Sequence, residues 1–132
     1  MFGRSIAAVF AVMCVALLVV GCSLYGGITP APEGTVQMSG AAFVPQSLTR
    51  AAGQTVHWIN NDNAAHTVTS DTGVFNSDTG SPSGLGHGDT FDFQIPADAA
   101  SGTTYYYHCR IHGVAGNGSA YGTGMAGRIV VQ

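Results

Sequence analysis

The chain of 132 residues carries four Lys and Arg against seven Asp and Glu, a net charge of −3 with the histidines neutral. So few basic residues exclude the clustered positive surface that nucleic-acid binding requires, and a hydrophobic content of 45% argues against a disordered chain. The length allows one folded domain rather than two.

The first predicted element is a secretion signal over residues 1–21. Arg4 precedes an uncharged apolar run over 5–20, and a small glycine stands before Cys22. The run is at the short end for crossing a bilayer and no basic stop-transfer cluster follows it, so cleavage is favoured over a membrane-spanning helix. The junction resembles the lipobox of bacterial and archaeal lipoproteins, which implies lipid attachment at Cys22. The alternative is ordinary cleavage nearby, with Cys22 left as a free or disulfide-forming thiol.

Residues 22–34 are rich in Gly and Pro and show no apolar period, which is typical of a tether. The folded domain is then expected over 35–132. We expect an exported protein that its lipid anchor holds on a membrane, facing the periplasm or the cell exterior, because more than one acyl chain makes such attachment durable.

Seven short strands are predicted within this domain, joined by turns and without any stretch of helical period. The alternation is clearest in TFDFQI (90–95), where Phe91, Phe93 and Ile95 share one face. This pattern predicts an all-β fold, a Greek-key β-sandwich. The predicted strands are 35–38, 46–50, 55–60, 66–70, 90–95, 103–109 and 127–132, and residues 71–89 are expected to be mostly loop.

The cysteines bear directly on the chemistry. Cys14 falls within the signal and Cys22 is assigned to the lipid, so Cys109 has no partner within its own chain. An unpaired cysteine is unusual in an exported protein, where thiols generally form disulfides. Cys109 is therefore a buried inert thiol, a nucleophile or a metal ligand.

His112 follows Cys109 by three positions, and Gly113 permits a turn that brings the imidazole back toward the sulfur. His66 and Met125 offer a second imidazole and a thioether. Two His, one Cys and a weak axial Met are the ligand combination of blue-copper sites. Zinc fits less well, because it prefers four strong donors.

Residues 36–132 resemble the single-domain cupredoxins, of the plastocyanin, pseudoazurin and halocyanin type. The resemblance rests on an ordered series of segments: AAFVPQSLTRAAGQTVHWINND, HTVTS, GHGDTFDFQI, YYYHCRIH and GMAGRIVV. It implies one copper ion bound by His66, Cys109 and His112, with Met125 at longer range. It also implies a monomeric electron carrier, not an enzyme, that shuttles single electrons between redox proteins through transient contacts.

One interval departs from the family. Residues 113–124 separate His112 from Met125, whereas the plastocyanin-like members have a short spacing, and five of these twelve residues are Gly. We interpret the extra length as a flexible insertion in the ligand loop. If Met125 lay away from the metal, a backbone carbonyl or a water would take the axial place. The resemblance of MAGRIVV to the closing strand of the family favours Met125.

Three other functions compete with the electron carrier. One is a copper-binding or buffering module without electron transfer, and another is a copper oxidase or nitrite reductase, which needs a second copper centre. The third is thiol catalysis, with Cys109 as nucleophile and His112 as base. That reading leaves His66 and Met125 without a role.

The remaining polar residues near these motifs have ordinary interpretations. Asn60 or Asn61 is expected to form a hydrogen bond near His66 and to stiffen the site. Asp62 is interpreted as a turn residue rather than a ligand. The histidines expected to lie on the surface are His57, His87 and His108.

Overall fold

The structure, a computed structural model, describes residues 31–79 and 83–132. The secretion signal, the proposed lipid site Cys22 and most of the tether lie outside the described residues. In the described ranges no helix is long and apolar enough to cross a membrane. The elements are β1 (Thr35–Ser39), β2 (Ala42–Val44), β3 (Ser47–Arg50), β4 (Thr55–Asn60), β5 (Thr69–Ser70), a 3₁₀ turn (Ser77–Thr79), β6 (Thr90–Gln94), β7 (Thr104–Val114) and β8 (Thr123–Val131).

The strands form two four-stranded sheets, with the orders β2-β1-β4-β6 and β3-β8-β7-β5. β1 runs parallel to β4 and β3 runs parallel to β8, while the other neighbours are antiparallel. The predicted all-β Greek-key β-sandwich is confirmed.

The core shows why these residues form strands. In β4, Val56, Trp58 and Asn60 are buried and alternate with more exposed residues, as expected for a strand with one face inward. Trp58 has no exposed surface and meets Tyr107 of the other sheet edge-on, with ring centroids 5.3 Å apart. Large aromatic side chains dominate core energetics, so this contact joins the two sheets at the centre of the sandwich.

Two features of the sheets differ from the prediction. β2 was not foreseen, because three residues are too few to show an alternating pattern; it follows a tight turn in which Gly40 and Ala41 have φ of 60° and 55°. β7 and β8 also extend further than predicted, to Val114 and from Thr123. Both ends of the supposed flexible insertion are therefore strand.

Candidate metal centre

Three metal-binding side chains converge at one end of the sandwich. Cys109 and His112 belong to β7, and His66 lies on the segment between β4 and β5. Their ligand atoms all lie within 4.8 Å of one another. Local spacing brings the first two together, whereas His66 arrives from 43 positions earlier in the chain.

The geometry of these donors fits a single ion. Sγ of Cys109 lies 3.7 Å from Nδ1 of His66 and 3.6 Å from Nδ1 of His112, and the two Nδ1 atoms are 3.0 Å apart. Nitrogen and sulfur donors about 2.0 to 2.3 Å from one ion stand about 3 to 4 Å from each other. His66 and Cys109 are fully buried, and His112 is exposed. The centre therefore reaches solvent on the His112 side.

Asp62 fixes the orientation of His66. Its Oδ2 lies 2.8 Å from Nε2 of His66, so that the imidazole donates to the carboxylate and presents Nδ1 to the other donors. The backbone N–H groups of Gly40 and Ala41, and after them His66, lower the pKa of Asp62 from 3.8 to about 2. Asp62 is thus a carboxylate at neutral pH and holds His66 as the tautomer that a metal requires.

The surrounding backbone holds His66 on its other side. His66 and Leu85 exchange two backbone hydrogen bonds, of 3.0 and 2.7 Å. The buried side chain of Asn60 donates to the carbonyls of Leu85 and Ala64, at 2.8 and 2.9 Å. Asn60 supports the segment that pairs with His66 and does not bond to its ring. The ring partner is Asp62, which sequence reasoning placed only in a turn, although its spacing of four residues from His66 was a usable signal.

A backbone amide reaches the sulfur. Thr67 N–H donates to Sγ of Cys109 over 3.3 Å, and Oγ1 of Thr67 accepts from the amide of Arg110 at 2.8 Å. This hydrogen bond holds the sulfur at one position relative to the backbone that follows His66. Thr67, which directly follows His66, therefore holds the sulfur of Cys109 and the backbone of Arg110 in place.

An irregularity between β7 and β8 places Met125 opposite the segment that carries Cys109 and His112. His108 pairs with Ala126 and Gly113 pairs with Gly124, so the four residues 109–112 lie opposite Met125 alone. A bulge of this kind bends its strand and re-aims its side chains. Met125 is 2% exposed and is the candidate fourth donor.

The insertion is a folded hairpin and not the flexible loop that its glycines suggested. Gly113 and Val114 pair with Gly124 and Thr123, which closes its base. Toward its tip, the ring of Tyr121 meets Tyr106 edge-on at a centroid distance of 5.4 Å. The hairpin therefore lies against the outer face of β7.

The prediction that His108 lies on the surface is wrong, because the hairpin covers that face of β7. His108 is only 7% exposed, and its Nδ1 lies 2.7 Å from Oδ1 of Asp71, whose side chain has no exposed surface. Strand parity correctly places His108 opposite Cys109, but that face is covered rather than solvated. The other two histidines agree with the prediction: the side chain of His57 is 41% exposed and forms a hydrogen bond with Asp92, and His87 is exposed.

Comparison with known proteins agrees with this geometry. The family model for copper-binding proteins of the plastocyanin/azurin family matches residues 33–132. Among solved structures, an oxidised single-site mutant of amicyanin shares 23% identity at a TM-score of 0.53, over 74% of this chain and 80% of that chain. A reduced amicyanin mutant gives 21% and 0.52 over the same shares.

A copper-containing nitrite reductase from Thermus scotoductus SA-01 is also similar, at 24% identity and a TM-score of 0.53 over 74% of this chain, but the match covers only 22% of that chain. At these identities the solved structures show the fold alone. The family match identifies the metal as copper, for which His66, Cys109 and His112, with Met125, form a candidate type 1 site. The chain belongs to the plastocyanin/azurin family of copper-binding proteins.

Proposed function

We propose that the protein is a type 1 copper electron carrier that passes single electrons between redox partners outside the cytosol. The observation that carries this proposal is the grouping of one buried thiol with two imidazole Nδ1 atoms that all point at one space. In the proposal Cys109 binds as thiolate, His66 and His112 bind through Nδ1, and Met125 is the weak axial ligand. Copper held by this set supplies a one-electron Cu(I)/Cu(II) couple.

The surrounding residues support this role because they hold the ligands in place. Asp62 and the backbone of Leu85 fix His66, and Thr67 holds the sulfur of Cys109. A donor set that its neighbours already hold changes little when the charge at the centre changes. Little rearrangement therefore accompanies each electron transfer.

His112 is the proposed route for electrons. It is the exposed member of the cluster, and two nearby apolar side chains in the same strand, Ile111 and Val114, are 50% and 65% exposed. A partner that covers His112 and these apolar side chains comes within contact of the imidazole. Redox encounters of this kind bury little area and separate quickly.

The remaining parts of the proposal rest on the sequence. Residues 1–21 are proposed as the signal, Cys22 as the lipid-modified residue, 22–34 as the tether and 35–132 as the copper domain. The mature protein is then a monomer held on a membrane and facing the periplasm or the cell exterior.

The deciding experiment uses the full chain, purified in detergent and loaded with Cu(II). We expect an intense visible thiolate-to-copper band and a narrow copper hyperfine splitting in the EPR spectrum. Both should disappear in Cys109→Ser and be altered in His66→Gln. The matched control is His57→Gln, which removes an exposed imidazole from the opposite sheet and should leave both signals unchanged.

Other outcomes point to other functions. A colourless or pale-blue protein that still binds copper would contradict the carrier and favour metal buffering. Steady reduction of nitrite by the copper-loaded protein, with an artificial electron donor, would instead show an enzyme.

A further inference from the structure

A buried carboxylate lies behind the candidate copper site and takes no part in it. The side chain of Asp71 has no exposed surface. Its Oδ1 accepts from Nδ1 of His108 at 2.7 Å, and its Oδ2 accepts from the backbone N–H of Gly116 at 2.8 Å. Removing a carboxylate from water is costly unless charged or polar partners replace the water. We therefore expect the buried carboxylate of Asp71 to have a structural role.

The reason lies in where its two partners stand along the chain. His108 is the last residue of β7 paired with β8 before the bulge, and Gly113 is the first residue paired after it. Gly116 follows three residues later, in the hairpin. One carboxylate therefore holds the chain on both sides of the segment that carries Cys109 and His112.

This segment needs support from outside the ladder. Residues 109–112 lie opposite a single residue of β8, so regular strand pairing does not determine their conformation. Thr67 supports the segment near the sulfur, through the amide of Arg110. Asp71 supports it from the other face, because His108 projects opposite to Cys109.

We propose that Asp71 is a positioning residue for the copper ligands: its carboxylate holds the two ends of the bulge at a constant separation, so that Cys109 and His112 keep their geometry in both oxidation states. The inference rests on the proposed function, because it concerns the ligands of that site. The hairpin formed by 113–124 is then a part of the ligand scaffold, held through Gly116.

The chain contains a matched control for this pair. His57 and Asp92 form a second His–Asp pair, on β4 and β6 of the other sheet, with side chains 41% and 61% exposed. It has the same chemistry but joins no segment that carries a ligand. Asp92→Asn therefore removes the same charge without touching the proposed scaffold.

The first measurement concerns the copper-free full chain. In Asp71→Asn, which keeps one acceptor oxygen of two, we expect the Gly116 amide to exchange its hydrogen at least about tenfold faster than in wild type. The second measurement concerns the copper-loaded chain, where we expect a changed copper hyperfine splitting, a shifted reduction potential and slower electron self-exchange. Asp92→Asn should match wild type in every reading.

A second pair of variants decides the matter if Asp71→Asn does not fold. His108→Asn keeps a nitrogen donor close to the position of Nδ1, so its amide exchange and its copper spectra should be close to those of wild type. His108→Leu removes the donor and should show the same changes as those expected for Asp71→Asn. The inference would be overturned if Asp71→Asn and His108→Leu had the same spectra and reduction potentials as Asp92→Asn. A blue wild-type protein would still support the proposed electron carrier in that case. A wild type without the blue signal would instead refute the carrier, and the exchange measurement would still test the support of the hairpin.

Discussion

Gly113 and Gly124 lie directly opposite each other at the base of the ligand hairpin, and neither position has room for a side chain. A Cβ on Gly124 would stand 2.5 Å from the carbonyl oxygen of His112, and one on Gly113 would stand 2.7 Å from that of Met125. Each glycine therefore touches the backbone of a proposed ligand on the facing strand. The close approach brings His112 and Met125 together although twelve residues separate them in sequence.

Gly124→Ala is expected to disturb the copper site as well as the fold. Gly124 has φ of +71°, which alone costs an alanine about 1 to 2 kcal/mol, and its Cβ would also displace the His112 carbonyl. Gly102→Ala is the matched control, because Gly102 has φ of +88° with open space around it. In a urea titration, we expect the free energy of unfolding of the control to fall only by the backbone cost of the positive φ. We also expect the control to keep the blue spectrum. Equal losses and equal spectra in both variants would contradict the tight closure.

Asp62→Asn is expected to weaken copper binding. The variant keeps one acceptor oxygen where Asp62 now serves His66, Gly40 and Ala41, so the orientation of His66 is less well determined. Losing such a hydrogen-bond partner of a metal ligand generally lowers metal affinity about 10- to 100-fold. A competition titration against a chelator measures the change. The comparison with Asp92→Asn shows whether charge alone accounts for it, and a change of less than twofold would rule out the orienting role.

Tyr107→Phe is expected to preserve or raise the free energy of unfolding. Tyr107 is fully buried, and its hydroxyl lies close enough to the indole N–H of Trp58 to be affected by it, but the two form no hydrogen bond of normal geometry and neither has another partner among the described residues. A buried polar group without a partner costs about 1 to 3 kcal/mol, which the variant recovers. Denaturation of the copper-free protein at pH 7 measures the difference, and a destabilised variant would show that the hydroxyl is satisfied in solution.

The same variant carries a prediction for alkaline pH. Burial raises the pKa of Tyr107 well above its ordinary value of 10.0. The unfolded chain therefore releases this proton first, so titration of this group leaves the wild-type free energy of unfolding unchanged below pH 10 and lowers it as the pH rises above 10. Tyr107→Phe should lose stability less steeply between pH 10 and 11. Parallel slopes for the two proteins would contradict the buried, neutral phenol.

The parts of this molecule that follow from local chemistry could be predicted from the sequence. Alternation around Trp58 indicated an inward strand face, and the spacing of Cys109 and His112 indicated two donors at one strand end. Residue type offered His66 as a second imidazole, and the family resemblance was needed to assign it to the same ion, because its approach depends on the pairing of distant segments. The ligand role of each side chain stays a proposal until the metal-loaded protein is measured.

Two of the failures, those for His108 and for the insertion, depend on long-range packing. Parity placed His108 on the outer face of β7, but no local pattern shows that Asp71 and the hairpin cover that face. Glycines in the insertion suggested freedom, whereas Gly113 and Gly124 are required for close approach of two strands. Glycine therefore indicates flexibility when only the local sequence is considered, but here it allows two strands to pack closely.

The proposed ligands differ in exposure, so the centre is accessible from one end of the protein only. His66 and Cys109 have no exposed surface, and His112 opens to solvent at one end of the sandwich. In the proposed carrier, only a molecule that arrives at that end contacts the centre through His112, and packed side chains separate the centre from a molecule bound to the faces of the sheets. Under the proposed function, another surface can therefore cover the faces of the sheets without blocking electron transfer, as long as the His112 end stays exposed.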